Sequence, residues 1–139
     1  MSSQIIVVNH LFTQATSPEP HEADVRGLLL GEHFSTHPNQ AIFWSGGAEA
    51  EQEAAAIARQ EGKVTFGMTV GGRSITSLVH SLTPEQAAHV YRFGSTHFAA
   101  AAAGEVEVVV RKYNAASLFV RTELPMLLKN LGVKRITFR

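Results

Sequence analysis

The segment Ala41–Gly47 combines an aromatic ring with a flexible turn and contains Trp44, the only tryptophan of the chain. Its apolar residues predict a strand, its two glycines a tight turn, and the residues from Ala48 onward a helix. Backbone N–H groups at such a junction can bind a phosphate, and a tryptophan beside them can stack on a flat ring. The same pattern is typical of a core strand ending in an ordinary glycine turn. The segment alone leaves both interpretations open.

Glu123 stands apart from the other carboxylates because apolar residues flank it on both sides. The segment Ala115–Val120 precedes it and Leu124–Leu128 follows it. A carboxylate in such surroundings either caps a helix N-terminus or lies in a pocket, and the local pattern alone favours the cap. The other glutamates lie on segments that we expect to face water, and Asp24 is the only aspartate.

The seven histidines form no recognisable metal or catalytic pattern. His33 and His37 are four residues apart, but Pro38 and the polar residues between them favour a turn over a shared helix face. The sequence contains no His-Glu-x-x-His motif, Gly-x-Ser-x-Gly elbow, Gly-x-Gly-x-x-Gly fingerprint or Walker motif. We therefore expect no metal site.

The composition excludes several classes of function. The 139 residues correspond to one domain. Lys+Arg and Asp+Glu total 12 each, and without a basic run we expect no nucleic-acid binding. The lack of cysteine excludes a thiolate nucleophile, a thiolate metal site and disulfides. No segment resembles a signal peptide or a membrane span, so we expect a cytoplasmic protein, or one delivered by a secretion system.

Alternating segments of β and α character predict an α/β fold with a small, mostly parallel sheet, flanking helices and a helical N-terminal part. The predicted strands or β-like segments are Gln4–Val8, Ala41–Trp44, Lys63–Val70, Glu105–Lys112 and Lys134–Phe138. The predicted helices are Glu22–Leu30, Ala48–Glu61, Pro84–Ala103 and Glu123–Asn130, with a loop at Thr13–Pro20. No linker or repeat divides residues 1–139, so we expect a single domain.

Local signals predict the ends of two helices and one close contact. Gly62 suits the position just after a helix C-terminus. Thr83, Pro84 and Gln86 suit the N-cap, first and third positions of a capping box. Gly94 interrupts the helix that follows, and an interior glycine there indicates close packing.

Four blocks of the chain, in order, resemble the ADP-ribosyl cyclase and NAD glycohydrolase family. They are Phe43–Gly46, Thr65–Gly72, Tyr91–Ala99 and Ser117–Glu123. They are similar, in turn, to the family's Trp-Ser strand end, its Thr-Leu-Glu-x-Thr-x-x-Gly block, its aromatic-xxx-Ser-xx-Phe-Ala helix and its Ser-x-Phe-xxx-Glu block. The resemblance extends over about residues 41–138 and implies an ADP-ribosyl cyclase-like fold. The cysteine-free composition is nearest to the small bacterial members that occur as toxin domains.

The resemblance implies an enzyme that cleaves or transfers at the N-glycosidic bond of NAD or a related nucleotide, with NAD as substrate and no separate cofactor. Glu123 would be the catalytic glutamate, which engages the ribose hydroxyls and stabilises or traps the oxocarbenium ion. Trp44 and Tyr91 would flank the base. The full set of implied substrate-binding residues is Trp44, Ser45, Gly46, Thr65, Tyr91, Ser95 and Phe119.

Two glycines depart from the family pattern. Gly67 stands where the family usually has a glutamate that contacts nicotinamide, and Gly46 stands where animal members have an arginine. Phosphate binding would then depend on backbone N–H groups or on Arg73, Arg92 or Lys112. The alternative predictions are a different nucleoside or nucleotide of a biosynthetic pathway, and a non-catalytic nucleotide-binding domain. The implied protein partners are a second copy of the chain or a cognate immunity protein.

Overall fold

A computed structural model describes residues 32–139, whose strands form one parallel sheet. Strand β1 spans Ile42–Ser45, β2 spans Gly104–Val110 and β3 spans Val133–Phe138. The three strands are hydrogen-bonded in the order β1-β2-β3, and both pairs are parallel. The predicted α/β class with a parallel sheet is confirmed, and each strand begins and ends within two residues of its predicted bounds.

Three N-terminal predictions lie outside the described residues. They are the strand Gln4–Val8, the loop Thr13–Pro20 and the helix Glu22–Leu30, and with them the predicted helical N-terminal part.

Four α-helices of the described part connect and cover the strands. They are α1 (Ala48–Glu61), α2 (Val70–Leu78), α3 (Pro84–Ala101) and α4 (Leu124–Lys129). Shorter 3-10 turns lie at Glu32–Phe34, Phe66–Met68 and Val79–Ser81, and a single π-helical turn, Phe119–Glu123, leads directly into α4.

The predicted caps of α1 and α3 are confirmed. Gly62 has the left-handed φ of 71° and donates its N–H to the carbonyl of Ala58. Thr83 Oγ1 accepts the N–H of Gln86 at 3.1 Å, and Gln86 Oε1 accepts the N–H of Thr83 at 3.1 Å. These reciprocal bonds satisfy two backbone donors at the start of α3.

The prediction of a β-like segment at Lys63–Val70 is wrong. Val64 makes one isolated parallel bridge with Ala41, after which the chain turns through Phe66–Met68 into α2. Thr69 is the N-cap of α2, and its Oγ1 accepts the N–H of Gly72 at 2.9 Å. This side chain–backbone hydrogen bond starts a helix where the residue pattern alone allows a strand.

Strand β2 has buried valines on both faces of the sheet. Val106 and Val108 belong to the larger core with Phe43, Phe98 and other residues of the helical side. Val109 belongs to a smaller core on the opposite face, beneath α1. Alanines 50, 54 and 58 of α1 are buried in that smaller core. Their small side chains allow α1 to lie close against β1 and β2.

Gly94 is a point of close packing in α3, as predicted. A Cβ at this position would lie 2.8 Å from the ring of Phe66 and 2.9 Å from side-chain atoms of Ile75 and Phe34. The absence of a side chain therefore lets three apolar residues approach the helix backbone.

We expect Gly72→Ala to destabilise the protein, because its Cβ would overlap the carbonyl oxygen of Phe66 and lie 3.0 Å from Thr69 Oγ1. Overpacking against backbone should lower the free energy of unfolding by about 1–3 kcal/mol. Gly67→Ala is the matched control, since a Cβ there meets no atom within 4 Å. Urea denaturation measures both variants, and equal stability of the two would contradict the close approach at Gly72.

Candidate active site

A cavity of about 890 Å³ lies at the carboxyl ends of β1 and β2. Ligands of open parallel α/β sheets commonly bind at this edge, where the loops after the strands diverge. The cavity is lined by every residue that the sequence predicts for the site, namely Trp44, Ser45, Gly46, Thr65, Tyr91, Ser95, Phe119 and Glu123. The fold thus brings together side chains that are spread over about eighty residues of the sequence.

Glu123 lies in the wall of the cavity and is only 6% exposed. It is the last residue of the π-helical turn Phe119–Glu123, and its side chain makes no capping hydrogen bond to α4. The local preference for a helix cap is therefore wrong, because helical backbone already precedes Glu123. A π-helical turn rotates the following residues relative to a regular α-helix, and such turns are frequent at functional sites.

Burial raises the pKa of Glu123 from its ordinary value of 4.5 to about 8. The cause is desolvation, which disfavours the charged carboxylate, and the nearby Ser95 hydroxyl opposes the shift in part. Ser95 is itself fully buried, and its Oγ has no hydrogen bond of good geometry to a described residue. At neutral pH the carboxyl of Glu123 is therefore protonated, and it lies beside a hydroxyl that a ligand could satisfy.

A hydrogen bond between two serine hydroxyls connects the end of β1 to the π-helical turn. Ser45 Oγ donates to Ser117 Oγ at 3.1 Å, and Ser117 Oγ accepts the N–H of Val120 at 3.2 Å. Ser45 was predicted for the site, whereas Ser117 is an additional lining residue. The pair fixes the strand end relative to the turn that positions Glu123.

The three predicted aromatic residues line the cavity, and they differ in how far their rings are buried. Trp44 and Tyr91 are half-buried, so parts of both rings remain open to a ligand. Trp44 packs against the core beneath α1, and Tyr91 lies with its ring centroid 6.3 Å from that of Phe66. Phe119 is buried with its ring 6.1 Å from Phe43, so it also anchors the π-helical turn in the larger core.

The backbone at Gly46 excludes any side chain. Its φ is 119°, and a Cβ would lie 2.6 Å from the backbone nitrogen of Lys112. The chain after β2 passes this close because Arg111 donates its N–H to the carbonyl of Ser45 at 3.1 Å. Gly47 follows with a φ of 83°, and α1 begins without a side-chain cap. Uncapped N–H groups at a helix start can bind an anion, so the turn retains its predicted chemistry.

The cations of the cavity differ in part from those expected. Lys112 lines it, whereas Arg73 and Arg92 are exposed residues outside it. Arg59, in the last turn of α1, also lines the cavity and was missed by the sequence reasoning. Helical spacing could have revealed it, because Glu51, Ala55 and Arg59 recur every four residues on one face.

Further lining residues complete the walls. Gly47, Phe66, Gly67, Met68 and Leu118 lie in segments that the sequence analysis singled out, whereas Gln52, Thr76 and Asn114 do not. Gly67 leaves open space, since a Cβ there would meet no atom within 4 Å.

Residues 32–139 contain neither a candidate metal centre nor a candidate membrane span. This part of the chain contains no group of three or more His, Cys, Asp or Glu side chains that could hold a metal ion. None of its helices combines the length and apolar character needed to cross a bilayer.

No protein-family model matches the chain, and no curated protein does. Among solved structures, the chain is similar to Aplysia cyclase complexed with substrate NGD and product cGDPR, at 25% identity and a TM-score of 0.57, over 75% of this chain and 49% of the cyclase chain. An ADP ribosyl cyclase complexed with N1-cIDPR has a TM-score of 0.61 at 19% identity, over 97% of this chain and 74% of the other.

Porcine CD38 complexed with a covalent intermediate, ribo-F-ribose-5'-phosphate, has a TM-score of 0.54 at 15% identity, over 96% of this chain and 79% of the other. The chain spans about half the length of two of these relatives, 49% of the Aplysia cyclase chain and 50% of a mutant ADP-ribosyl cyclase chain. These similarities show that the fold is ADP-ribosyl cyclase-like.

We expect the free energy of unfolding to fall as the pH rises from about 4.5 to about 8, because folded Glu123 keeps a proton that the unfolded chain loses. Above about pH 8 this contribution becomes constant. The free energy of unfolding of Glu123→Gln should not fall in this way. Relative to wild type, it should increase by a few kcal/mol between about pH 5 and pH 8.5. Denaturant titration across this range measures the difference. Glu85→Gln, at an exposed residue outside the cavity, is the control, and parallel profiles for all three proteins would contradict the prediction.

Proposed function

We propose that this protein breaks the N-glycosidic bond of NAD or a related nucleotide and releases the base. The observation that carries the proposal is the presence of the buried carboxyl of Glu123, two part-exposed aromatic rings and an uncapped glycine turn in one cavity. Similar solved structures add support, since one is complexed with a substrate and a product and another with a covalent ribose intermediate. Trp44 and Tyr91 would hold the base, and the turn at Gly46 would receive the phosphates.

The proposed reaction begins with a substrate whose pyridinium ring carries a positive charge. When the C1′–N bond breaks, its electron pair goes to the ring nitrogen and the positive charge passes to the ribose. The carboxylate of Glu123 would stabilise this oxocarbenium ion or bond to C1′. Water then adds to C1′ and loses a proton in hydrolysis, whereas a nucleophile of the substrate itself adds in cyclisation. Both outcomes start from the same bond cleavage.

The protonation state of Glu123 couples substrate binding to this chemistry. Without a bound cation the carboxyl is neutral at neutral pH, because its pKa is about 8. A pyridinium cation bound nearby favours the carboxylate, so binding should release the proton to solvent. Glu123 would thus become negatively charged when the cationic substrate is bound.

Two other functions remain alternatives to this proposal. The open space at Gly67 favours a nucleoside or nucleotide with a different base, because no side chain limits the size of the leaving group there. Release of a base from such a compound, without release from NAD, would favour this substrate. A non-catalytic nucleotide-binding domain is the third function, and turnover that depends on Glu123 would exclude it.

We expect wild type to release nicotinamide from NAD and Glu123→Gln to do so at least about 100-fold more slowly, since the variant lacks the anion that faces the developing charge. Chromatographic separation of nicotinamide gives the rates. Glu85→Gln, which changes an exposed carboxylate outside the cavity, should keep the wild-type rate. Absence of release by wild type, or equal release by wild type and Glu123→Gln, would refute cleavage of NAD by this carboxyl.

The pH dependence of kcat/KM provides an independent check. The free enzyme must lose the proton of Glu123, so kcat/KM should rise about tenfold per pH unit up to about pH 8 and then level off. The rise of kcat should occur at lower pH than the rise of kcat/KM, because the bound cation favours the carboxylate of Glu123. Steady-state rates at saturating and limiting NAD separate the two profiles. A kcat/KM independent of pH between about pH 6 and pH 9 would contradict this role of Glu123.

A further inference from the structure

The outer edge of β3 has no strand beside it within residues 32–139. The strand order is β1-β2-β3, and β3 pairs only with β2. Arg139 donates its N–H to a carbonyl of β2 at 2.7 Å, and its own carbonyl accepts an N–H of β2 at 3.2 Å. Every second residue of a strand bonds to the same neighbour, so the N–H and C=O groups of Lys134, Ile136 and Phe138 point to the outer edge. This edge can pair with another strand.

The residues of β3 favour such pairing. Val133–Phe138 contains three β-branched residues and a phenylalanine, and it contains no proline. Charged side chains are a common protection of a strand edge. Here Arg135 is paired with Glu105 on β2, which leaves Lys134 as the charge of β3 that lacks a carboxylate partner within residues 32–139. One such charge restricts the register of pairing more than it prevents pairing.

Apolar side chains are exposed on β3 and on the segment that leads into it. Leu128 of α4 is 72% exposed, Leu131 between α4 and β3 is 92% exposed, and Phe138 at the end of β3 is 57% exposed. A second protein chain placed beside the edge would remove part of this apolar surface from water, in addition to pairing the backbone groups.

The charges of β3 determine which partner strand and register the edge accepts. Two copies of β3 can pair antiparallel about a two-fold axis, and the register is defined by the residue that faces its own copy. With Lys134 or Arg135 on the axis, two like charges face each other directly. With Thr137 on the axis, Arg135 faces the partner's Arg139. Directly opposed like charges destabilise a strand pair, so these three registers are unfavourable.

The register with Ile136 on the axis opposes no like charges. Ile136 then faces the partner's Ile136, and the outward backbone groups of both strands meet as hydrogen-bonded pairs. Lys134 faces the partner's Phe138, and an ammonium group beside an aromatic ring is favourable. On the other face of the sheet, Arg135 faces the partner's Thr137. This register therefore uses the one charge of β3 that has no carboxylate partner.

We propose that the outer edge of β3 binds β3 of a second copy of this chain, antiparallel and with Ile136 on the two-fold axis. The two three-stranded sheets then form one continuous sheet. The interface is independent of the proposed reaction, because β3 contributes no residue to the cavity.

The first test is the oligomeric state of the full chain, measured by sedimentation equilibrium. We expect a dimer with a Kd on the order of 10 µM, as small interfaces commonly give. Thr137→Arg places two like-charged pairs across the axis and should raise the Kd about tenfold, whereas Thr137→Glu places two opposite-charged pairs there and should lower it severalfold. Thr137 is exposed, and thermal unfolding checks that both variants are folded.

The matched controls are Ala88→Arg and Ala88→Glu, which make the same changes of net charge at an exposed residue of α3. Both should keep the wild-type Kd within about twofold. Equal effects of the two Thr137 variants, or equal effects at Thr137 and Ala88, contradict the register.

The second test uses the lack of cysteine in this chain. Ile136→Cys places two thiols at facing positions about 5.5 Å apart between Cα atoms, which a disulfide can bridge. Lys134→Cys on the same strand is the control, since its copy lies about 13 Å away along the strands. After oxidation with diamide, we expect a covalent dimer from Ile136→Cys and a monomer from Lys134→Cys on a non-reducing gel.

Two outcomes overturn the proposal. A wild-type chain that is monomeric at about 100 µM leaves the edge of β3 to another occupant, either residues 1–31 of this chain or a different protein. Equal cross-linking of the Ile136→Cys and Lys134→Cys variants shows contact between copies without the proposed strand pairing.

Discussion

The removal of one carboxyl group from water is the constraint on which the site depends. Glu123 is 6% exposed, and an unpaired carboxylate at such a position is costly. The protein accommodates the group by keeping it neutral, which is the physical meaning of a pKa of about 8. A positively charged ligand bound beside Glu123 would favour the carboxylate over the neutral carboxyl. The same burial that weakens the fold at high pH therefore prepares the carboxyl to respond to a cation.

The position of this carboxyl is determined from both sides of the cavity. The π-helical turn is anchored by Phe119 in the larger core and by Ser117, whose hydroxyl contacts Ser45 at the end of β1. Trp44 adjoins Ser45 and packs against the opposite core, beneath α1. The C-terminal end of β1 thus connects both faces of the sheet to Glu123. A shift of β1 relative to β2 would move the aromatic wall and Glu123 together.

The close approach of two backbones shapes the end of the cavity at the glycine turn. Arg111 forms an ion pair with Glu53 of α1 and donates its backbone N–H to Ser45. A part-exposed ion pair stabilises the fold only modestly, but here it aligns the chain that leads to Lys112. Because Lys112 then passes beside Gly46, a side chain at that position is excluded. Under the proposed function, phosphates would therefore bind to backbone N–H groups and to cations from other elements.

Features that depend on neighbouring residues could be predicted from the sequence. The capping box at Thr83, the C-terminal glycine of α1 and the alternation of strands with helices are local, because each arises from hydrogen bonds or periodicity within a few residues. The ordered blocks also indicated which distant side chains share a cavity. The start of α2 after Lys63–Val70 also has a local cause, the Thr69 side chain that accepts the N–H of Gly72. Only the folded chain shows that Glu123 lies in a pocket rather than at a cap, and that Arg59 lines the same cavity. These two outcomes depend on burial and on contacts between elements far apart in the chain, which a local pattern does not contain.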